Sequence, residues 1–350
     1  MAMSNLQLGL AVVGGLVLAA MVAHSAWSSR RNRPRQAAIP EPGEAGDAEY
    51  RVGEGIEPEL DAAAFELSHF PLAAAEAKPA LDALIDVIAS IALDAPVSGD
   101  AALSAMPATR RAGGKPFLIE GLNEVTECWE MPLAGRRYGA FQAGVQLANR
   151  SGALNDIEYS EFVMKTQAFC DAINGTADFP EMREEVARAR ELDQFASEHD
   201  AQLGFVLRAR NAAWSPGYIQ QNASRLGFVA GVIPGRMVLP ASVAGLPPIL
   251  GLSFDTQAAM ADDPAQSAIR QLAIGLDVAQ VDRHEHAFER MRDAARLLAQ
   301  SMEGVVTDDN GIVLTAEAMD QIASELESLY DRLDEHDLSA GSAAARRLFS

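Results

Sequence analysis

The sequence predicts an α+β protein: an N-terminal transmembrane helix, then two related units, each an antiparallel sheet with helices packed on one face. Three observations carry this. A long uncharged apolar stretch opens the chain, runs of alternating apolar residues recur after residue 80, and amphipathic helical stripes separate and close those runs. The expected organisation is an anchor over 1–29, a flexible linker over 30–78, a first unit over 79–200, a second over 201–335 and a disordered tail over 336–350.

The anchor comes first. Leu6 to Trp27 contains no Asp, Glu, Lys or Arg, and its length as a helix covers the ~30 Å hydrocarbon layer. A helix satisfies its own backbone groups where no water is available. Trp27 stands where an interfacial aromatic belongs. A cleaved signal peptide carries its positive charge before the apolar stretch; here Arg30, Arg31, Arg33 and Arg35 follow it. The arginines stay in the cytoplasm by the positive-inside rule, so the N-terminus is periplasmic and the rest cytoplasmic. His24 reads as an interfacial residue near the headgroups.

The linker is punctuated by Pro34, Pro40, Pro42, Pro58 and Pro71, with Gly43, Gly46, Gly53 and Gly55 between them. About 50 such residues reach roughly 35–45 Å as a coil. Leu60 to Phe70 is a candidate short helix or docking segment.

The first unit opens with a strand over Leu84 to Leu93, then a helix over Gly99 to Ala112, then strands over 117–122, 127–131 and 138–147. The second opens with a strand over Gln202 to Arg210, then a helix after Ser215-Pro216, with Ser as cap and Pro in the first turn. Strands over 229–233, 236–239 and 249–255 follow. An internal match pairs Phe179-Pro-Glu-Met-Arg-Glu with Phe288-Glu-Arg-Met-Arg-Asp. Phe288, Met291, Ala295, Leu298 and Met302 share one helical face. Residues 163–173 read either as a strand or as a continuing helix. The chain closes with a strand at Gly304, an Asp308-Asp-Asn-Gly311 turn, a strand over 312–314 and a helix from Ala316 to Leu333 capped by Thr315.

Composition excludes some classes. The net charge of −21 over 350 residues argues against a protein that tracks nucleic-acid phosphates. The 49% apolar content supports folded units. The two cysteines, Cys128 and Cys170, lack metal-ligand spacing and read as free thiols. His284-Glu285-His286 lacks the HExxH spacing of a zinc helix, and Asp308 to Gly311 is too short for a calcium loop. No GxSxG, P-loop or GxGxxG motif is present, so no enzyme, cofactor or metal is expected.

Three features resemble the ZipA family of membrane-anchored cell-division proteins. They are the anchor followed by Trp27-Ser-Ser-Arg-Arg-Asn-Arg33, the stretch Ala299-Gln-Ser-Met-Glu-Gly-Val-Val-Thr-Asp-Asp309 with Leu314-Thr315 and the last helix, and Leu147-Ala148-Asn149 before Gly152. The resemblance implies an inner-membrane protein of the bacterial septum whose open sheet face takes the C-terminal tail of FtsZ, with other divisome proteins as further partners. It implies groove strands at Ile233 to Gly235, Ser253 to Gln257 and Ala273 to Val278. The candidate groove residues are thus Ile233, Gly235, Ser253, Asp255, Gln257, Ala273 and Gly275, with Ala148 and Arg150 as the alternative in the first unit. Alternation agrees in part: Leu272, Ile274, Leu276 and Val278 point to the helices, and Ala273, Gly275 and Asp277 point away. Gly275 stands where the family carries a large aromatic, and Asp255 where it carries an apolar residue. A membrane-tethered sensor of some other ligand or peptide is the alternative reading.

Overall fold

A computed structural model describes residues 34–37 and 80–350. The expected anchor, with Leu6, Trp27, Arg30 and Arg31, lies outside the described residues, as does most of the linker. No helix among the described residues is long and apolar enough to cross a membrane. The chain divides into two compact units, one of Pro40–His199 with Arg347–Ser350, the other of Met1–Ile39 with Asp200–Arg346.

In the first unit β1 (Asp86–Ser98) leads into α1 (Gly99–Ala105), capped by the Ser98 hydroxyl. The helix stops well short of residue 112. Met106 precedes Pro107 and is extended, as the proline ring requires of its neighbour. Then come β2 (Arg111–Ala112), β3 (Lys115–Asn123), β4 (Trp129–Glu130), β5 (Arg137–Gln146) and the short pair β6 (Ala148–Asn149) and β7 (Gly152–Ala153). Residues 163–173 belong to α2 (Asp156–Ile173), which settles that alternative as helix. Its start is a capping box: Asn155 accepts from the Ile157 and Glu158 amides, and Glu158 reaches back to Asn155. It ends on left-handed Asn174, and β8 (Gly175–Asp178) and α3 (Met182–His199) follow.

The first sheet runs β2-β3-β5-β1-β8, with all the pairings antiparallel. Its helix-side face buries Val87, Ile91, Phe117, Ile119, Phe141 and Val145 against Phe162, Phe169 and Cys170 of α2. Cys128 is exposed and Cys170 buried; both are free thiols. Lys115 is also buried, its ammonium held by Asn149 Oδ1 at 2.7 Å and by the Gly152 carbonyl. Burial pushes its pKa below the usual lysine value.

The second unit is built from β9 (Gln202–Ala209), α4 (Pro216–Ser224), β10 (Val229–Ala230), β11 (Arg236–Leu239), β12 (Leu250–Ser253), α5 (Thr256–Ala259), β13 (Gln271–Asp277), α6 (Ala287–Met302), β14 (Gly304–Thr307) and α7 (Ala316–Glu335). Its sheet runs β10-β11-β12-β13-β9-β14. In both sheets the unit's first long strand lies between the strand that precedes the central helix and the one that follows it. That order aligns α2 with α6 and α3 with α7, so the sequence match of Phe179 to Phe288 pairs helices that are not equivalent. The helix ends agree with that order: α2 ends Asn174-Gly175 and α6 ends Glu303-Gly304, each with a left-handed residue at the cap.

On the helix side Phe205, Leu207, Leu252, Leu272, Ile274 and Leu276 are buried, as are Phe288, Met291, Leu298 and Met302 of α6. Full burial of a side chain such as Leu298 is worth about 1.5–3 kcal/mol. Val278 begins a 3-10 turn rather than continuing β13.

Residues 336–350, expected to be disordered, contain α8 (Ala343–Leu348). Leu348 and Phe349 are buried. Arg347 makes a two-pronged ion pair with the buried Asp86 carboxylate, 2.8 Å to Oδ2 and 2.5 Å to Oδ1. The Gln146 amide donates to the Arg347 carbonyl at 2.8 Å. An eight-residue stretch with Ala344, Ala345, Leu348 and Phe349 presents enough apolar surface to fold once it has a partner, although it lacks the length for an isolated helix.

A candidate peptide-binding face on the second sheet

The alternation that buries one face of the second sheet leaves the other to Gly251 and Ser253 of β12, Ala273 and Gly275 of β13, and Gly204 and Val206 of β9. Gly275 pairs directly with Gly251 on one side and Gly204 on the other. Three adjacent strands therefore present a row of bare backbone. A β-carbon at Gly251 would meet nothing within 4 Å, and one at Gly275 would meet only the Leu203 carbonyl oxygen at 3.8 Å. The floor is open, and no neighbouring group requires these glycines.

The row continues outward. Val238 pairs with Gly251, and Val229 with Val238, giving an apolar end. At the other end a β-carbon at Gly204 would lie 3.5 Å from Asp309 Oδ1. The next row is Arg236, Ser253, Ala273, Val206 and Thr307. Two depressions lie on this face. One, of about 430 Å³, is lined by Pro247, Pro248, Gly251, Gly275, Asp277 and Gln202. The other, of about 450 Å³, is lined by Val206, Ser253, Phe254, Asp255, Arg270 and Ala273. Asp277 lines the first depression and the Asp309 carboxylate approaches Gly204, while Arg236 belongs to the second row and Arg270 lines the second depression.

Ala273 and Gly275 lie on this face, as the alternation predicts, and so does Ser253, which the resemblance placed in the groove. The remaining residues have other local settings, although Asp255 also lines the second depression. Ile233 and Gly235 form the turn between β10 and β11 rather than a strand. Gly235 has φ +78, and a β-carbon there would come 2.8 Å from the Phe254 carbonyl oxygen, so the turn requires glycine. Asp255, two residues beyond β12, is the cap of α5, accepting the Gln257 amide at 2.8 Å and the Ala258 amide at 3.3 Å. Its carboxylate has a local structural task, which accounts for an acidic residue at that position. Gln257 lies within α5. In the first unit Ala148 is fully buried and cannot line a surface, whereas Arg150 is exposed.

Gly204, Gly251, Val206 and Val238 escaped the sequence reading. A signal for two of them existed: glycine inside a strand often marks close approach by another chain or ligand.

The corresponding face of the first sheet is covered at Gly144. Gly144 pairs with Ile88 on β1 and Leu118 on β3. Counted inward from the strand ends Asp86↔Gln146 and Gln202↔Asp277, Gly144 matches Gly275. A β-carbon at Gly144 would collide with Leu81 Cδ2 at 2.5 Å. Glu120 holds this segment down by accepting the Ala80 and Leu81 amides, and it also accepts the Gln142 side chain at 2.8 Å.

Among the described residues no group of three His, Cys, Asp or Glu side chains gathers at metal-binding distance. His284 bonds Asp282, Glu285 accepts from Ser242, and His286 is the left-handed residue before α6. Asp308 closes its turn by accepting the Ile312 amide at 2.7 Å.

No curated protein matches the chain. Residues 258–325, which hold β13, α6, β14 and the start of α7, match the family of the ZipA C-terminal FtsZ-binding domain, a protein-binding rather than an enzymatic family.

Proposed function

We propose that this protein is a membrane-anchored adaptor of bacterial cell division, which binds the C-terminal tail of FtsZ on the open face of its second unit and tethers FtsZ filaments to the inner membrane at the septum. The observation that carries this reading is the glycine-floored trench on the same sheet that contributes β13 to the family match. The trench receives an apolar side chain against Gly275, and the peptide's charged groups fall toward Asp277 and Asp309 on one side and Arg236 and Arg270 on the other. Further support comes from the uncharged stretch Leu6 to Trp27 and the arginines that follow it, which suit a single-pass anchor with a periplasmic N-terminus. The first unit is a divergent copy of the same design, with residues 80–81 standing where a peptide would lie. Weak single contacts suffice, because many anchored faces meet many tails on one filament.

The test is titration of the full chain in nanodiscs with a fluorescent FtsZ tail peptide. Saturable binding, competed by unlabelled tail and accompanied by chemical-shift changes at Ala273 and Gly275, supports the proposal. No binding at millimolar peptide, or shifts confined to the first unit, would overturn it.

A further inference from the structure

Pro34–Ala37 lies along the second unit, joined to it by a single parallel β-bridge at Arg35. The Arg35 amide donates to the Ala213 carbonyl at 2.7 Å, and the Ser215 amide donates to the Arg35 carbonyl at 2.9 Å. Between them Trp214 bridges Arg35 on one side and Ile269 on the other. Trp214 is itself fully buried, its indole N–H donating to the Met302 carbonyl at 2.9 Å. The Arg35 guanidinium then pairs with Glu303 at 2.5 Å, on the left-handed residue that ends α6. Two main-chain bonds, a rigid indole beneath them and a charge pair make a built docking edge.

We propose that this edge is a membrane-proximal clamp: the second unit binds the chain's own Pro34–Ala37 and so is held close to the bilayer instead of at the end of the linker. The inference rests on the anchor proposed above. Six residues separate Trp27 from Pro34, and the seven Cα–Cα steps between them span at most about 25 Å when fully extended. Residues 38–79 lie beyond the clamp and do not set the reach of the second unit. A filament captured on the open face is thereby kept at short range from the membrane, with far less slack than a coil of ~50 residues would allow.

The experiment uses the full chain in liposomes, in a Cys128→Ser background, with nitroxides at Gln36→Cys and Gln300→Cys. The expected result is one narrow spin–spin distance that broadens in Glu303→Arg and narrows again in the charge-swapped Arg35→Glu/Glu303→Arg pair. In parallel, energy transfer from a dye at position 300 to labelled lipid should fall in Glu303→Arg and recover in the swap. A broad distance in the parent protein overturns the clamp. A narrow distance with no lipid transfer and no flotation with liposomes leaves the clamp's geometry but overturns the anchor, and with it the membrane-proximal role.

Discussion

Leu81 lies against the α-carbon of Gly144, where a β-carbon would approach its Cδ2 to 2.5 Å. The first unit thus demonstrates on itself how a leucine seats on a glycine floor between two strands, with two of its segment's amide hydrogens taken by Glu120. Leu81→Ala should destabilise the first unit by about 2–4 kcal/mol, because Leu81 is almost completely buried and a bare floor leaves a cavity. Chemical denaturation read by fluorescence would measure this. The second unit's transition should not move.

Filling the open floor should separate binding from folding. Gly275→Leu adds a side chain where only the Leu203 carbonyl oxygen lies within 4 Å, so the sheet accommodates it. Replacing a strand glycine also removes its entropic penalty of roughly 0.5–1 kcal/mol. The expected outcome is an unchanged or slightly raised Tm together with at least a tenfold loss of tail affinity, about 1.4 kcal/mol. Unaltered affinity would place the peptide elsewhere.

Breaking the Asp86–Arg347 pair should be costly and pH-dependent. Burial holds the Asp86 carboxyl above its usual 3.8, while the Arg347 guanidinium works against that rise. A raised carboxyl pKa means that the folded unit binds the proton more tightly than the unfolded chain. The contribution is complete below 3.8 and is lost as pH rises through the folded value. Arg347→Met strands the carboxylate and raises that value further. We expect a loss of about 3–5 kcal/mol at neutral pH that shrinks on acidification. Urea denaturation at several pH values checks the trend.

The Arg35–Glu303 contact has the opposite sign. The side-chain bond from Arg35 holds Glu303 below the usual 4.5. Its contribution is therefore present above 4.5 and disappears as pH falls through the lower folded value. Distances between labels at 36 and 300 should broaden in acid below that window, and Glu303→Gln should broaden them at neutral pH.

Much of the second unit was legible because its periods are clean. Leu272, Ile274 and Leu276 alternate with Ala273, Gly275 and Asp277, and α6 carries its apolar residues on one stripe. The first unit was harder to read at α2, which exposes Ile157 and Met164 while burying Phe162, Phe169 and Cys170. With apolar groups on both sides of the helix the stripe blurs, and periodicity alone does not separate strand from helix there. Asp255 and Gly235 answer to a different constraint. Their residue types answer to a helix cap and a left-handed turn, and both tasks depend on local backbone geometry that a groove template ignores. Arg347–Ser350 escaped because Arg347 is held by Asp86 and Gln146, 261 and 201 positions away in sequence.

The contrast between the two cysteines supplies a clock that needs no engineering. Cys128 is exposed, while Cys170 sits inside the first unit's core with its thiol pKa raised by burial and by Asp171. A maleimide should modify Cys128 promptly in the native protein. With maleimide in enough excess that alkylation outpaces reclosing, modification of Cys170 should then follow at the rate at which the core of the first unit opens. Mass spectrometry of the second alkylation would time the breathing of one unit in the intact chain, at a site remote in sequence from the trench residues of the other.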